Sequence, residues 1–216
     1  MRIRCSTRRD GDFHLEAPAV AVAHRRAGFQ SGRWTQLDEV HGTDVVVVAA
    51  PGAHDGAVGD AMVSSQRGAV LGIWVGDCAP VAFVSDDGWI GGAHAGWRGA
   101  LDGVLEATVT AMRREGALGP IRAFLGPCIH QCCYEFGADD LLPFEHRFGP
   151  QVVGHTSWGT PSLHMPAVVA ACLAPLGVMV DERMGGCTRC NGERWFSHRA
   201  GDAGRQVLTV TKMASA

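Results

Sequence analysis

Short runs of valine, isoleucine and other apolar residues recur along this chain, and several are apolar at every position. Runs of this length and composition are typical of β-strands. A strand that is apolar on both faces is usually covered on both faces, so the pattern predicts central sheets flanked by helices. The predicted strands are 45–49, 70–75, 81–85, 89–93, 121–125, 178–183 and 206–212.

Helical periodicity is clearest after the glycine-rich segment near residue 96. Apolar residues there recur at i, i+3 and i+4 and predict a helix over 100–115 that ends at Gly116. A second helix is predicted over 165–176, with Pro166 in its first turn and Gly177 as its stop.

The length of 216 residues fits one domain spanning 1–216, with residues 1–35 as its less certain N-terminal segment. Of the chain, 46% is hydrophobic and 19% is charged, which favours a packed core over disorder. The formal net charge of -3 gives no basic excess for nucleic acid or anionic lipid. We therefore expect small-molecule substrates and no nucleic-acid or membrane partner.

The N-terminus is basic but lacks the apolar stretch of a secretory signal, so we predict a cytoplasmic protein. The longest apolar run, 45–51, is far shorter than the ~20 residues that span a bilayer. Eight cysteines without an export signal indicate reduced thiols, metal ligands or catalytic groups before disulfides.

Three segments place a candidate ligand beside the end of a predicted strand: His41 in EVHG, Cys78 in GDC and His94 in HAGWRG. Functional side chains often lie at strand ends in α/β folds. Spacings of 37 and 16 residues match no local metal signature, so spacing alone leaves a metal site open.

The turn AGWRG leads directly into the predicted helix. A helix N-terminus with free N–H groups, together with the guanidinium of Arg98, would favour a phosphate or carboxylate. The alternative is that Gly96 and Gly99 only permit the turn and Arg98 pairs with a surface carboxylate. Trp97 in the same turn is our candidate for contact with an aromatic ligand, although core packing is the usual role of tryptophan.

Several longer motifs carry a family resemblance: EVHGTDV, DAMVSSQRGAVLGIWVGDCAPV, HAGWRGALDGVLEATVTAM, FLGPCIHQCCYEFG and CTRCNGERWFSHRAGDAGRQ. They resemble the YfiH/LACC1 family, also called the multicopper polyphenol oxidoreductase (laccase) family. The resemblance implies an α+β fold, a layered α/β/β/α sandwich with mixed sheets that is shared with a deamidating bacterial toxin. It also implies a catalytic zinc bound by His41, Cys78 and His94, with copper as the alternative metal.

Some positions depart from the family pattern. Glu39 stands where the family usually has glutamine, Gly76 where it has alanine, and His130 lies where it has a small residue. His130 with the neighbouring cysteines 128, 132 and 133 could bind a second metal, but a surface histidine and inert buried thiols are favoured. The pair Cys187 and Cys190 lacks a second C-x-x-C to complete a four-cysteine zinc site, so we interpret it as a structural loop near the pocket, with reversible oxidation as a lesser alternative.

Three protein ligands would leave a fourth zinc position for water or substrate, which is typical of catalytic zinc. Asp77 adjoins Cys78 but should point to the opposite face of an extended strand. It could carry a proton, support a ligand, or be only a structural turn residue.

The resemblance implies purine nucleoside phosphorylase activity on adenosine, inosine, guanosine and methylthioadenosine, with adenosine deamination as a companion activity. A copper polyphenol oxidase is the second hypothesis, yet the ten histidines form no HxH or HxxxH cluster. A third hypothesis makes Cys78 the nucleophile and His94 the base of an amide hydrolase. A non-enzymatic scaffold would require a closed site, with Cys133 or His130 as fourth ligand.

Overall fold

The computed structural model describes residues 1–213, which form two mixed β-sheets packed face to face. The first sheet has the order β1-β12-β5-β2, the second β11-β8-β6-β7-β4-β3, and β9 and β10 form a separate hairpin. The strands are β1 Arg2–Cys5, β2 Arg33–Gln36, β3 Val45–Val47, β4 Ala61–Ser64, β5 Ala69–Val75, β6 Ala79–Ser85, β7 Ile90–Ala95, β8 Ile121–Leu125, β9 Val153–His155, β10 Pro161–Leu163, β11 Met179–Asp181 and β12 Gln206–Thr211.

Five α-helices cover the outer faces of the two sheets within residues 1–213. They are α1 Ala19–Phe29, α2 Trp97–Asp102, α3 Val104–Arg114, α4 Ala138–Phe148 and α5 Met165–Leu173. Helix α1 packs on the four-stranded sheet, and helices α2, α3 and α5 pack on the six-stranded sheet. Helix α4 packs on α2, α5 and the β9–β10 hairpin. In the part of the chain that the structure describes, no helix has the length and apolar character that a bilayer crossing requires.

The alternation of side chains along β5 explains the layering. Leu71 and Ile73 point between the sheets, where they pack with Met62 and Ile90 of the second sheet. Val70, which precedes Leu71, points to the opposite face of the sheet and packs under α1 with aromatic residues. Both faces of the strand are therefore buried, which confirms the predicted α/β/β/α sandwich with mixed sheets.

The predicted helix over 100–115 is in fact two helices. Gly103 has φ +102°, a left-handed conformation that ends α2 and starts α3. Helix α2 also begins at Trp97, earlier than predicted. The helix predicted over 165–176 ends at Leu173 and continues as a 3-10 turn, Ala174–Leu176.

Several elements were not predicted. Strand β4 is only four residues long, and α4 carries Pro143 in its interior, so each departs from the pattern of a typical strand or helix. The predicted strands 45–49 and 178–183 are shorter in the structure, as β3 and β11.

Candidate metal centre

The three predicted ligands meet at one end of the six-stranded sheet. His41 lies in the loop between β2 and β3, Cys78 directly precedes β6, and His94 is near the end of β7. Because His94 pairs with Pro80 in the antiparallel register of β6 and β7, it lies beside Cys78. The ligand atoms of all three residues lie within 4.8 Å of one another, and Cys78 Sγ is 3.7 Å from His41 Nε2.

The backbone at His41 is in the left-handed region, with φ +64°. Two hydrogen bonds stabilise this conformation: the N–H groups of His41 and Gly42 donate to the carboxylate of Asp60 at 2.8 Å and 2.7 Å. A Cβ at Gly96 would lie 2.5 Å from His41 Cδ2, and one at Gly99 would lie 2.8 Å from Gly42 O. The glycines of AGWRG therefore leave room for the loop that carries His41.

Asp60 also orients the second histidine. Its Oδ1 is 2.9 Å from His94 Nδ1, and its backbone oxygen accepts from the His94 N–H at 2.7 Å. A proton on Nδ1 leaves Nε2 with a lone pair for a metal, and such carboxylate partners are typical of metal-binding histidines. Burial raises the pKa of Asp60, but the hydrogen bonds from His94 and Gly42 outweigh it and lower that pKa overall.

Sequence reasoning missed Asp60. The available signal was an aspartate next to an apolar run, in GDAMV, where a charged residue would otherwise be costly to bury. Its 2% exposure shows that this carboxylate is part of the interior and not of the surface.

Glu39 faces the same ring nitrogen of His94 as Asp60 does, with its Oε2 3.7 Å from His94 Nδ1. Its Oε1 accepts the Trp74 backbone N–H at 3.1 Å. Burial raises the pKa of Glu39 well above its ordinary value. A neutral carboxyl offers one acceptor and one donor, as a glutamine amide does, which reconciles Glu39 with the glutamine common at this position.

The electrostatics favour a thiolate at Cys78. Burial raises the pKa of this thiol, but the charge of His94 and hydrogen bonds from both histidines outweigh it, so the pKa falls from 9.0 to about 6. Thiolate and imidazole are ligands that zinc prefers, at about 2.3 Å and 2.0 Å. In a tetrahedral site these lengths place sulfur and nitrogen roughly 3.5 Å apart, close to the 3.7 Å found here. The residues fit a metal ion.

The three residues line a cavity of about 370 Å³. This volume lies within the range of small-molecule sites. Besides the candidate ligands, its wall contains aromatic and basic side chains. The aromatic and basic residues of this wall include Trp74, Trp97, Tyr134, His198, Arg199 and Arg205.

The other predicted site residues lie in different places. Trp97 lines the cavity as expected. Arg98 does not: it is exposed, and its guanidinium carbon lies 4.4 Å from the Trp97 ring centroid. Arg98 therefore lies outside the cavity wall, and its assignment to a substrate anion stays a prediction. The His41 loop packs against this turn, and α2 has only six residues.

Asp77 lines the cavity but has both carboxylate oxygens engaged. Thr188 Oγ1 donates to Oδ1 at 2.5 Å, and the Arg199 backbone N–H donates to Oδ2 at 2.7 Å. These bonds fix the segment that brings Arg199 into the cavity wall. Of the roles considered for Asp77, the structural one agrees with these contacts.

The layered sandwich and the Cys/His centre at its strand ends define a class of α/β/β/α proteins with a partly open metal site. Comparison with known families identifies the class further: the family model described as "Multi-copper polyphenol oxidoreductase laccase" matches residues 12–212. The chain belongs to this family.

Named relatives and a solved structure agree with this assignment. A Streptomyces griseus protein named "Purine nucleoside phosphorylase ORF3" is 35% identical, over 85% of this chain and 76% of its own length. A protein from an unknown prokaryotic organism named "Adenosine deaminase RL5" is 33% identical, over 65% and 56% of the two chains. The crystal structure of YlmD from Geobacillus stearothermophilus superposes with a TM-score of 0.79 at 26% identity, covering 94% of this chain and 85% of that one.

Proposed function

We propose that this protein is a zinc-dependent purine nucleoside phosphorylase, acting on adenosine, inosine, guanosine and methylthioadenosine, and that it deaminates adenosine at the same site. The observation that carries the proposal is the three-ligand centre in the wall of a cavity that also contains aromatic rings and guanidinium groups. The names of the relatives support the substrate class.

The proposed metal is one zinc ion held by Cys78, His41 and His94. When bound, it would supply a Lewis acid with a fourth position for water or a substrate oxygen. A multicopper oxidase needs several copper sites rich in histidine. Within residues 1–213, only one group of three or more metal-binding side chains includes histidine, which favours zinc over the copper alternative.

The chain's own residues support phosphorolysis. A flat purine base can stack on Trp97 or Tyr134, both in the cavity wall. Phosphate then attacks C1′ of the ribose, the C1′–N9 bond breaks, and its electron pair goes to the base, which takes up a proton. The products are ribose 1-phosphate and the free base.

Arg199 is the residue we assign to phosphate. Its backbone is fixed by Asp77, and its guanidinium carbon lies 5.2 Å from the Tyr134 ring centroid. Arg205 also lines the cavity, but its Nη1 already donates to three backbone oxygens of residues 202–204, so it stabilises that loop. A planar guanidinium binds two phosphate oxygens at once, which positions the nucleophile.

A second candidate function has a specific observation in its favour. Cys78, with its pKa of about 6, lies 3.7 Å from His41 Nε2, as a cysteine nucleophile beside its base would, so this contact favours His41 over His94 as the base. Such an amide hydrolase would need no metal. Zinc-depleted protein separates the two functions, because it would keep amidase activity and lose phosphorolysis.

The test is chromatography of products from inosine and adenosine, with and without phosphate, on zinc-loaded and zinc-depleted protein. We expect base release that requires both phosphate and zinc, with no oxygen uptake on an oxygen electrode. Oxygen uptake with a phenol on copper-loaded protein, together with no nucleoside turnover, would restore the oxidase hypothesis and overturn this one.

A further inference from the structure

Four cysteines outside the proposed active site form a second cluster. The sulfur atoms of Cys132, Cys133, Cys187 and Cys190 all lie within 4.8 Å of one another. Cys190 Sγ is 3.5 Å from Cys132 Sγ and 3.4 Å from Cys133 Sγ. All four are free thiols. The sequence contains no second C-x-x-C for the Cys187 and Cys190 pair, but the fold brings two adjacent cysteines to it from a distant loop.

We propose that these four residues, the thiolate cluster, bind one structural zinc ion through all four sulfur atoms. The proposal is independent of the proposed function. In a tetrahedral zinc site with bonds of about 2.3 Å, neighbouring sulfur atoms are roughly 3.8 Å apart. The two separations from Cys190 Sγ lie slightly below this value, and no other pair of these sulfur atoms is more than 4.8 Å apart. All four thiols are free, and these separations exceed the ~2.05 Å of a disulfide bond. Small side-chain rotations would complete the tetrahedron.

The local backbone supports thiolate ligation. Burial raises the pKa of Cys187, but N–H groups of His130 and Cys190 donate to its sulfur and lower that pKa overall. An N–H from the second cysteine of a C-x-x-C pair to the first sulfur stabilises the negative charge on that sulfur. The Cys187 loop is thus folded as a metal-binding turn would be.

The four neighbouring thiols can all be deprotonated at once only if a cation offsets their negative charges. Burial and the nearby sulfurs raise the pKa of Cys133 to about 12. A divalent cation would displace these protons and neutralise the accumulated charge. Four thiolates are the donor set that zinc accepts in closed structural sites, in contrast to the mixed set at Cys78.

The position of the thiolate cluster suggests what the ion would stabilise. The loop with Cys132 and Cys133 directly precedes Tyr134, which lines the cavity. The loop with Cys187 and Cys190 contains Thr188, whose hydroxyl donates to Asp77 beside Cys78. Between β11 and β12 the only regular structure described is the 3-10 turn His198–Ala200. The ion would hold this irregular segment, with Arg199, against the strand ends that carry the active site.

The experiment measures bound metal by elemental analysis of five proteins, each produced in zinc-supplemented medium and purified under reducing conditions. We expect two zinc ions per chain in the wild type and one each in Cys190→Ser and Cys132→Ser. Cys78→Ala should also hold one, since it loses the other ion. Cys5→Ser, a matched control outside both clusters, should keep two.

Three further measurements make the result independent of folding losses. Cobalt substituted into Cys78→Ala should show the tetrahedral d–d bands and intense sulfur-to-metal charge transfer of a four-thiolate site, and circular dichroism should show that each variant is folded. Denatured, chelated wild type should contain eight reactive thiols, the full number in the sequence. A zinc content that Cys190→Ser leaves unchanged, six reactive thiols as a disulfide would leave, or iron in place of zinc would each overturn the proposal.

Discussion

The two cysteine-containing clusters are built in opposite ways. Cys78 and His94 lie at strand ends, His41 lies in a loop that hydrogen-bonds to the buried Asp60, and all three line a cavity. The thiolate cluster lies in two loops and gathers four ligands of one kind. A three-ligand site supported by strand ends leaves a position for chemistry, whereas a four-ligand site in loops replaces missing regular structure. The contrast indicates one reactive centre and one stabilising centre in the same sandwich.

Of the substitutions that test this contrast between the two clusters, Cys78→Ala should have the largest effect. We expect loss of detectable phosphorolysis and of one zinc ion, because the thiolate is the ligand with the highest affinity for zinc and two imidazoles remain. The fold should persist, since the sheets are held by apolar packing on both faces. Activity, elemental analysis and thermal unfolding measure the three effects. Full zinc occupancy in this variant would remove Cys78 from the site.

Asp60→Asn should weaken metal binding without removing a ligand. The neutral amide keeps the shape but supports His94 Nδ1 and the His41 loop with weaker hydrogen bonds, so we expect a loss of roughly 10- to 100-fold in zinc affinity. Chelator competition measures this change. Ser64→Ala is the control and should leave zinc affinity unchanged. Ser64 is a buried polar residue at the end of β4, the strand that follows Asp60, and it contacts Val48 and Gln66. Equal affinities in all three proteins would contradict the role of Asp60.

The two arginines considered for phosphate give the next comparison. Arg199→Ala should raise the KM for phosphate by roughly 10- to 100-fold, because a charge-assisted hydrogen bond of about 1.5–3 kcal/mol is lost. Arg98→Ala is the matched control, an exposed arginine stacked on Trp97 outside the cavity wall. Steady-state kinetics with varied phosphate distinguish them. A larger effect at Arg98 would return the phosphate site to the AGWRG turn.

Zinc binding at the active site should depend on pH in two regimes, measured in Cys190→Ser so that one site is followed. Burial lowers the pKa of His94, but the charge of Cys78 and the hydrogen bonds with Asp60 and Cys78 outweigh it and raise the pKa well above its ordinary value, so His94 binds a proton near neutral pH that zinc must displace. Cys78 is already a thiolate there, and it gains a proton only below about pH 6.

Affinity should therefore rise about tenfold per pH unit near neutrality, for one proton released, and more steeply below about pH 6, for two. Chelator competition across pH 5 to 8 gives the slope. A slope that does not steepen on acidification would show that Cys78 has an ordinary thiol pKa.

The smallest expected effect is that of Glu39→Gln. A neutral Glu39 already provides the donor and acceptor of an amide, so the free energy of unfolding should change by less than about 0.5 kcal/mol. Denaturant titration checks this, and zinc occupancy should be unchanged. A clearly stabilised variant would mean that Glu39 is charged in the folded protein.

Much of the sheet framework was predictable from sequence because its strands are apolar on both faces. The ligands His41, Cys78 and His94 were found through motif resemblance, not spacing, since they come from three separate strand ends. Asp60 was missed because its role depends on a contact with His94, 34 residues away. The partners of Cys187 and Cys190 were missed because they are adjacent in sequence and do not form a second C-x-x-C.

The arginine of AGWRG lies outside the cavity wall for a local physical reason. The motif does contain the glycines and arginine that such a site uses, yet Gly96 and Gly99 serve the close approach of the His41 loop. A sequence pattern gives the residue types at a turn but not which neighbouring segment packs against it.

The central claim is that phosphate, and not water or oxygen, cleaves the nucleoside at the Cys78 centre. The most direct measurement is mass spectrometry of the sugar product from inosine and phosphate in ¹⁸O-labelled water, using zinc-loaded wild type. The account predicts ribose 1-phosphate without the label, and no product from Cys78→Ala. Free ribose carrying ¹⁸O from water would show hydrolysis and contradict it.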